Sequence, residues 1–283
     1  MPELPEVETI RRQLAPLTEG RRVERMEILD TRWSRPVAPA VLSEALVGRR
    51  IERLWRRGKY LLWDFEGDVH LAQHLRMTGA VLSEPEPMPP HARVIIDLHP
   101  ARRLVIVDPR RFGTGELLPG SDALDAFLAA RLGLEPLEEA FTDEHLRGVL
   151  HGRTAPIKAL LLDQRRIAGV GNIYADEALF RAGIHPLRPA GRLTPAQRSR
   201  LRVALGEALT AGIDAHGATI DDFRDVDGVR GSFQDQFLVH RRADEPCPIC
   251  GMPISKMVVA GRGTYVCESC QARPRTRTRT KAA

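Results

Sequence analysis

Val7, Ile10, Leu14 and Leu17 recur at spacings of three and four, so they line one face of a helix near the start of the chain. Pro5 suits its first turn, Glu6 and Glu8 suit the positive end of its dipole, and Gly20 marks its end. From about 23 to 118 the pattern turns to strands. Candidates are Val23–Leu29, Ile51–Trp55, Tyr60–Phe65, Val69–Leu75, Ala92–Leu98 and Arg103–Val107, divided by turns such as Glu66-Gly67-Asp68. No long helix separates most of them, which favours an antiparallel sandwich or barrel over a parallel sheet. A short helix fits Ala40–Val47, closed by Gly48, and the proline-rich stretch Ser83–Pro90 reads as an exposed loop.

From about 121 the period becomes helical. Ser121-Asp122 and Thr142-Asp143 are candidate caps, Ile157–Leu162 begins a third helix, and Asn172–Ala182 is a fourth, closed by Gly183. Thr194 and Gln197 form a capping-box pattern ahead of a stripe at Leu201, Leu205, Ala208 and Leu209. The predicted fold is α+β and multidomain. An N-terminal antiparallel β-sandwich with its leading helix covers 1–120, a helical domain 121–235, a cysteine-bearing β-hairpin 236–271, and a basic, disordered tail 272–283.

With 283 residues the chain can bury a real core. It has neither a bilayer-spanning apolar run nor a signal-peptide pattern, so the expectation is a soluble, cytoplasmic monomer without a membrane partner. A net charge of +5 and a pI near 9.3 favour a polyanionic partner. Arginine far outnumbers lysine, and arginine is the better bidentate phosphate ligand.

Candidate chemistry narrows this picture. Cys247 and Cys250 form one CxxC pair and Cys267 and Cys270 a second, sixteen residues apart. That spacing predicts one Zn2+ held by four cysteines on a β-hairpin. Four thiolates leave no open position, so the metal is structural. Arg262, at the hairpin tip, could meet a phosphate. Gly169-Val170-Gly171-Asn172 lies between two helices, where free N–H groups form an anion site, although a plain helix–helix turn explains the glycines as well. Arg56-Arg57-Gly58-Lys59-Tyr60 is either a solvated strand entry or a phosphate clamp. Asp108-Pro109-Arg110-Arg111-Phe112-Gly113 projects an Arg beside a Phe, as DNA-distorting wedges do, unless the ring is simply packed in its turn. His74, Met77 and His91 read alone as core or edge residues. Finally, Pro2 follows the initiator Met1. If Met1 is removed, the chain begins with a secondary amine beside the Glu3 carboxylate. Such an amine is partly neutral at working pH and forms Schiff bases with carbons at the aldehyde level. The plain alternative is a helix start.

Together these stretches resemble bacterial formamidopyrimidine-DNA glycosylases. MPELPEVET, GKYLL, HLRMTG, DPRRFG, GVGNIYADEALFRAGIHP and CxxC…CxxCQ occur in the family's order, across essentially residues 1–271. The resemblance implies a base-excision repair enzyme acting on double-stranded DNA with oxidised purines or abasic sites, hence nucleoid-associated. It implies a helix-two-turn-helix in the helical domain and a zinc finger in the hairpin. Pro2 would be the nucleophile at C1′, Glu3 the acid/base, and Glu6 a hydrogen-bonding support. Lys59, His74, Asn172 and Arg262 would grip phosphates, with Lys59 and Arg262 also donating protons during β- and δ-elimination. His91, Arg111, Arg153 and Lys158 would be further DNA contacts. Met77, Arg110 and Phe112 would fill the vacated stack, and the stretch from Thr219 to Val229 would cover the everted base.

Some positions depart from the family pattern. His240 stands where many relatives carry a tyrosine, the stretch from Ala218 to Phe223 is short and acidic, and the tail after Gln271 is additional. The tail is expected to add nonspecific DNA affinity. Two other readings compete: an endonuclease VIII-like glycosylase for oxidised pyrimidines, disfavoured by Leu4 where that branch has glycine, and a noncatalytic zinc-containing DNA-binding protein, disfavoured by the presence of Pro2, Glu3 and Lys59 together.

Overall fold

The computed structural model describes residues 1–219 and 224–274. The chain divides into two compact units, Met1–Gly133 with Leu209–Gln236, and Leu134–Ala208 with Phe237–Ala283. The expected cover over an everted base lies partly, and the basic tail mostly, outside the described residues.

In the first unit, helix α1 (Leu4–Thr18) precedes strands β1 (Arg22–Ile28), β2 (Ile51–Arg57), β3 (Tyr60–Phe65), β4 (Val69–His74), β5 (Ala80–Ser83), β6 (Ala92–His99), β7 (Arg102–Val107) and β8 (Thr114–Pro119). Helix α2 (Pro39–Leu46) lies between β1 and β2, and α3 (Ser121–Arg131) follows β8. The strands form two four-stranded sheets, β1-β6-β7-β5 and β2-β3-β4-β8, with every pairing antiparallel. This is the expected β-sandwich with its N-terminal helix. Val7, Ile10 and Leu14 of α1 share one core with Val23 and Met26 of β1, Leu54, Leu61 and Trp63 of the second sheet, and Ile96, Leu104 and Ile106 of the first.

The pattern Tyr-Leu-Leu-Trp-Asp-Phe in β3 follows from burial on both faces. Leu61, Trp63 and Phe65 face the sandwich core, whereas Leu62 joins Ala72 and Leu118 against Leu124 and Phe127 of α3. Two strands escape the periodicity. β5 has only four residues, and β8 reads Thr-Gly-Glu-Leu-Leu-Pro, whose glycine and glutamate resemble a turn. Gly115 is required by packing: a Cβ there would lie 2.2 Å from the ring of buried Trp33. The expected cap of α3 also differs. Its N-cap is Gly120 in the left-handed region, φ 92°, and Ser121 instead donates its backbone N–H to Asp68.

In the second unit, Thr142 caps α4 (Asp143–Leu150) as expected, its Oγ1 accepting from His145 N at 3.1 Å. Helices α5 (Ile157–Leu161) and α6 (Asn172–Arg181) follow, and α7 (Pro195–Asp214) opens with the expected capping box between Thr194 and Gln197. Residues 173–180 of α6 are all buried, including Asp176 and Glu177. The Glu177 carboxylate accepts N–H groups from Leu238, Val239 and His240 and so fixes the chain where it enters the hairpin. That hairpin pairs β9 (Ser255–Val259) with β10 (Arg262–Val266). No helix among the described residues is long and apolar enough to cross a membrane.

Gly115→Ala is expected to lower stability by about 1–3 kcal/mol, because the indole of Trp33 must leave its site. A denaturant-unfolding midpoint indistinguishable from wild type would contradict this.

Candidate active site and nucleic-acid interface

Pro2 is buried, and Glu3 is the N-cap of α1. The two glutamates form a reciprocal capping box: the Glu3 side chain accepts the Glu6 backbone N–H, and Glu3 N donates to Glu6 Oε2 at 2.8 Å. Glu6 Oε1 accepts from Ala218 N at 2.7 Å. One buried carboxylate therefore links the chain start to the segment that begins the expected lesion cover. The amine of Pro2 would stand at the positive end of α1, which favours its neutral form.

Lys59 lies in the two-residue turn between β2 and β3, made possible by Gly58 at φ 58°. His74 ends β4 directly opposite Tyr60, so strand register brings Lys59 and His74 together. Burial, and then the charges of Arg76 and Lys59, push the His74 pKa down to about 3. Its Nδ1 accepts from Arg76 N at 2.9 Å. The proton of the neutral ring therefore sits on Nε2, the arrangement needed to donate to a phosphate.

Met77 and Phe112 are 37% and 49% exposed, and so stand among the large apolar side chains open to solvent. The Arg110 guanidinium stands 4.9 Å from the Phe112 ring centroid. Arg111 forms a two-pronged pair with buried Asp30 at 2.6 and 2.8 Å, and those hydrogen bonds hold the Asp30 carboxyl down at about 2. His91 is exposed at φ 65°, and its carbonyl accepts from Asp108 N.

In the second unit, Gln164 staples the glycine turn, donating to the carbonyls of Leu162 and Val170 and accepting from Gly169 N. Asn172 opens α6, and its Nδ2 donates to Gly263 O at 2.9 Å, beside exposed Arg262. Arg153 is exposed, its backbone tied to Gly191. Lys158, expected at the DNA surface, is 0% exposed. Its ammonium reaches Asp176 Oδ1 at 2.6 Å, Thr264 Oγ1 at 2.8 Å and Gly263 O at 3.3 Å. His240 meets the other Asp176 oxygen at 2.9 Å and packs edge-on against Phe237 and Tyr265. No local pattern signals the roles of Asp30, Asp108, Gln164 and Asp176, whose partners are set by the fold.

The sulfurs of Cys247, Cys250, Cys267 and Cys270 all lie within 4.8 Å of one another. Cys247 and Cys270 are 3.8 Å apart, Cys250 and Cys267 3.4 Å. Tetrahedral Zn–S bonds of about 2.3 Å place sulfurs about 3.8 Å apart. Burial and the neighbouring sulfurs push the Cys267 and Cys270 thiols up, while the Met252 N–H helps to bring Cys250 down to about 6. Four thiolates this close need a cation, and the set fits one structural Zn2+ with no coordination position left for chemistry.

Residues 1–115 match the formamidopyrimidine-DNA glycosylase N-terminal domain, 132–224 its H2TH domain, and 244–273 the zinc finger found in FPG and IleRS. The chain belongs to the formamidopyrimidine-DNA glycosylase family. A formamidopyrimidine-DNA glycosylase of Thermus thermophilus is 47% identical over 273 residues, covering 96% of this chain and 98% of the relative. That of Symbiobacterium thermophilum is 46% identical over 277 residues, covering 97% and 90%. The crystal structure of the MutM (Fpg) protein of Thermus thermophilus superposes with a TM-score of 0.87 at 44% identity, covering 97% of this chain and all of that one. A Lactococcus lactis FPG mutant in complex with Fapy-dG-containing DNA superposes at 0.90 with 35% identity, covering 96% and 100%. This chain is thus a DNA glycosylase with the family's helical domain and zinc finger.

Two buried or part-buried groups, His74 and Asp30, set the acid response of this glycosylase. An unfolded histidine binds a proton near pH ~6.5 and an unfolded aspartate near ~3.9. Folded His74 stays neutral down to about 3 and folded Asp30 stays ionised down to about 2. Both stabilise the fold above their unfolded values, and both contributions are lost as pH falls through the folded ones. Arg111→Gln should raise the Asp30 pKa toward the ordinary carboxylate range. An unchanged carboxyl titration by NMR would contradict the pairing. For the metal, elemental analysis of purified protein should give about one zinc per chain, and Cys267→Ser should lose it. Full zinc retention in that variant would reject the four-cysteine site.

Proposed function

We propose that this glycosylase excises oxidised purines, 8-oxoguanine and formamidopyrimidines, from double-stranded DNA and then cuts the strand as an abasic-site lyase. The carrying observation is the N-terminal cluster, in which Pro2 and Glu3 are buried at the start of α1 and Glu6 is fixed by bonds to Glu3 N and Ala218 N. That environment suits a nucleophile that must be neutral, immobile and beside a proton carrier. Once Met1 is removed, the Pro2 nitrogen attacks C1′. The C1′–N bond breaks and the base leaves with a proton, while Glu3 assists sugar-ring opening. The resulting iminium acidifies the C2′ proton. β-elimination then breaks the C3′–O bond and δ-elimination the C5′–O bond.

Other residues fit the supporting roles. A base in a duplex is inaccessible at C1′, so it must turn outward. Met77, Arg110 and Phe112 fill the gap, with Arg110 facing the orphaned base. Lys59, neutral His74, Asn172 and Arg262 grip the phosphates, and His91, Arg111 and Arg153 extend that grip. Lys59 and Arg262 also donate protons in the eliminations. Lys158 serves from behind, by holding the hairpin at Gly263 and Thr264.

A second substrate class merits direct comparison, because a relative, the Lactococcus lactis FPG, has been solved with DNA containing an oxidised pyrimidine. Faster turnover of 8-oxoguanine opposite cytosine than of thymine glycol is the expected result, and the reverse order would reject the purine reading. Borohydride should trap wild-type protein covalently on lesion DNA. Pro2→Gly should lose most activity, and Glu3→Gln should slow base removal on the order of 10²-fold or more. Intact mass should show Met1 absent. Full activity with Met1 retained would overturn the Pro2 mechanism.

A further inference from the structure

Asp108 is 1% exposed, and four donors converge on its carboxylate. Oδ1 accepts from the Thr78 hydroxyl and from Arg110 N at 3.2 Å. Oδ2 accepts from Phe112 N and Gly113 N, each at 2.7 Å. Gly113 permits this approach, because a Cβ there would stand 3.2 Å from Oδ2. The backbone of Asp108 is held as well, its N–H donating to His91 O and its carbonyl accepting from Arg93 Nε at 2.8 Å.

These bonds join two turns that are distant in sequence. One carries Met77 and is closed by Gly79 N donating to Leu75 O. The other carries Arg110 and Phe112. The Thr78 hydroxyl bridges them, donating to Asp108 and accepting from Arg110 N at 3.3 Å. Three non-glycine residues around this junction, Arg76, His91 and Arg111, hold left-handed φ values of 58°, 65° and 60°. Such conformations persist only where the surroundings over-determine them. With its lone pairs occupied by the chain, Asp108 is not available to DNA or to proton transfer.

We propose that Asp108 is a positioning residue that binds the 76–79 turn and the 108–113 turn into one rigid wedge. This deepens the reading of Met77, Arg110 and Phe112 as stack-filling residues, and rests on it. Asp108 acts on the opening of the duplex and not on the chemistry at Pro2. The nearly isosteric Asn offers one acceptor oxygen, and its NH2 would face donors, leaving buried N–H groups without acceptors.

The test uses the full-length, zinc-loaded enzyme and four proteins: wild type, Asp108→Asn, Thr78→Val and the wedge-truncated Met77→Ala/Phe112→Ala. Single-turnover excision is measured on 8-oxoguanine opposite cytosine in duplex DNA. Strand cleavage is measured on a single-stranded oligonucleotide with an abasic site, where no base need leave a stack. Asp108→Asn is expected to slow duplex excision about tenfold or more and to leave single-strand cleavage within about twofold. Thr78→Val, which breaks only the bridge between the turns, should show a smaller loss with the same selectivity. It decides the matter if Asp108→Asn does not fold. Equal losses on both substrates, or no loss for Asp108→Asn and Thr78→Val while the wedge truncation is impaired, would overturn the positioning role and leave the wedge reading intact. An unimpaired wedge truncation would instead reject the wedge reading, and the role of Asp108 with it.

Discussion

The Glu6 carboxylate is the bond on which the N-terminal arrangement depends. It is 1% exposed, and removing an ionised carboxylate from water is costly unless hydrogen bonds replace the lost hydration. The chain supplies them from the Glu3 N–H, three residues before it, and the Ala218 N–H, 212 residues beyond it. On the same helix, Leu4, Val7, Ile10 and Leu14 are 0% exposed. A terminus that would otherwise fray is therefore held by apolar burial on one side and by a charged acceptor on the other.

The same device recurs away from the terminus. Asp108 gathers two turns, Asp30 clamps Arg111, Glu177 receives three consecutive N–H groups, and Asp176 divides its oxygens between Lys158 and His240. Each is a buried carboxylate surrounded by donors. Loops that carry exposed cations and apolar tips have little core of their own, so apolar packing cannot orient them. Hydrogen bonds to an ionised acceptor are directional and stronger than neutral ones, and they supply the missing order. Some of the exposed residues proposed to meet DNA adjoin these bonds. Arg110 and Phe112 flank the Asp108 bonds, and Arg262 precedes the Gly263–Thr264 pair held by Lys158.

Much of this was legible in the chain because it is local. The α1 stripe, the central strands, the caps at Thr142 and Thr194, and the paired CxxC motif all depend on spacings of a few residues. β5 and β8 were not legible. One is too short for a period, and the other contains a glycine demanded by Trp33, which lies 82 positions away by sequence number. Lys158 shows the same limit in a side chain. In the sequence it is one more cation near a basic turn, but its partners Asp176, Gly263 and Thr264 come from two other elements.

Local pattern along the chain was enough for the fold class, the family, the zinc ligands and the residue types that carry the proposed chemistry. Helix and strand periods and metal-ligand spacings are properties of short segments, and motif order is preserved along the chain. Which carboxylate holds which loop, which cation is enclosed and which reaches solvent, and which turns are tied to each other emerge only when the chain has folded. Those pairings form when distant segments close on each other, and burial then makes every polar group find a partner.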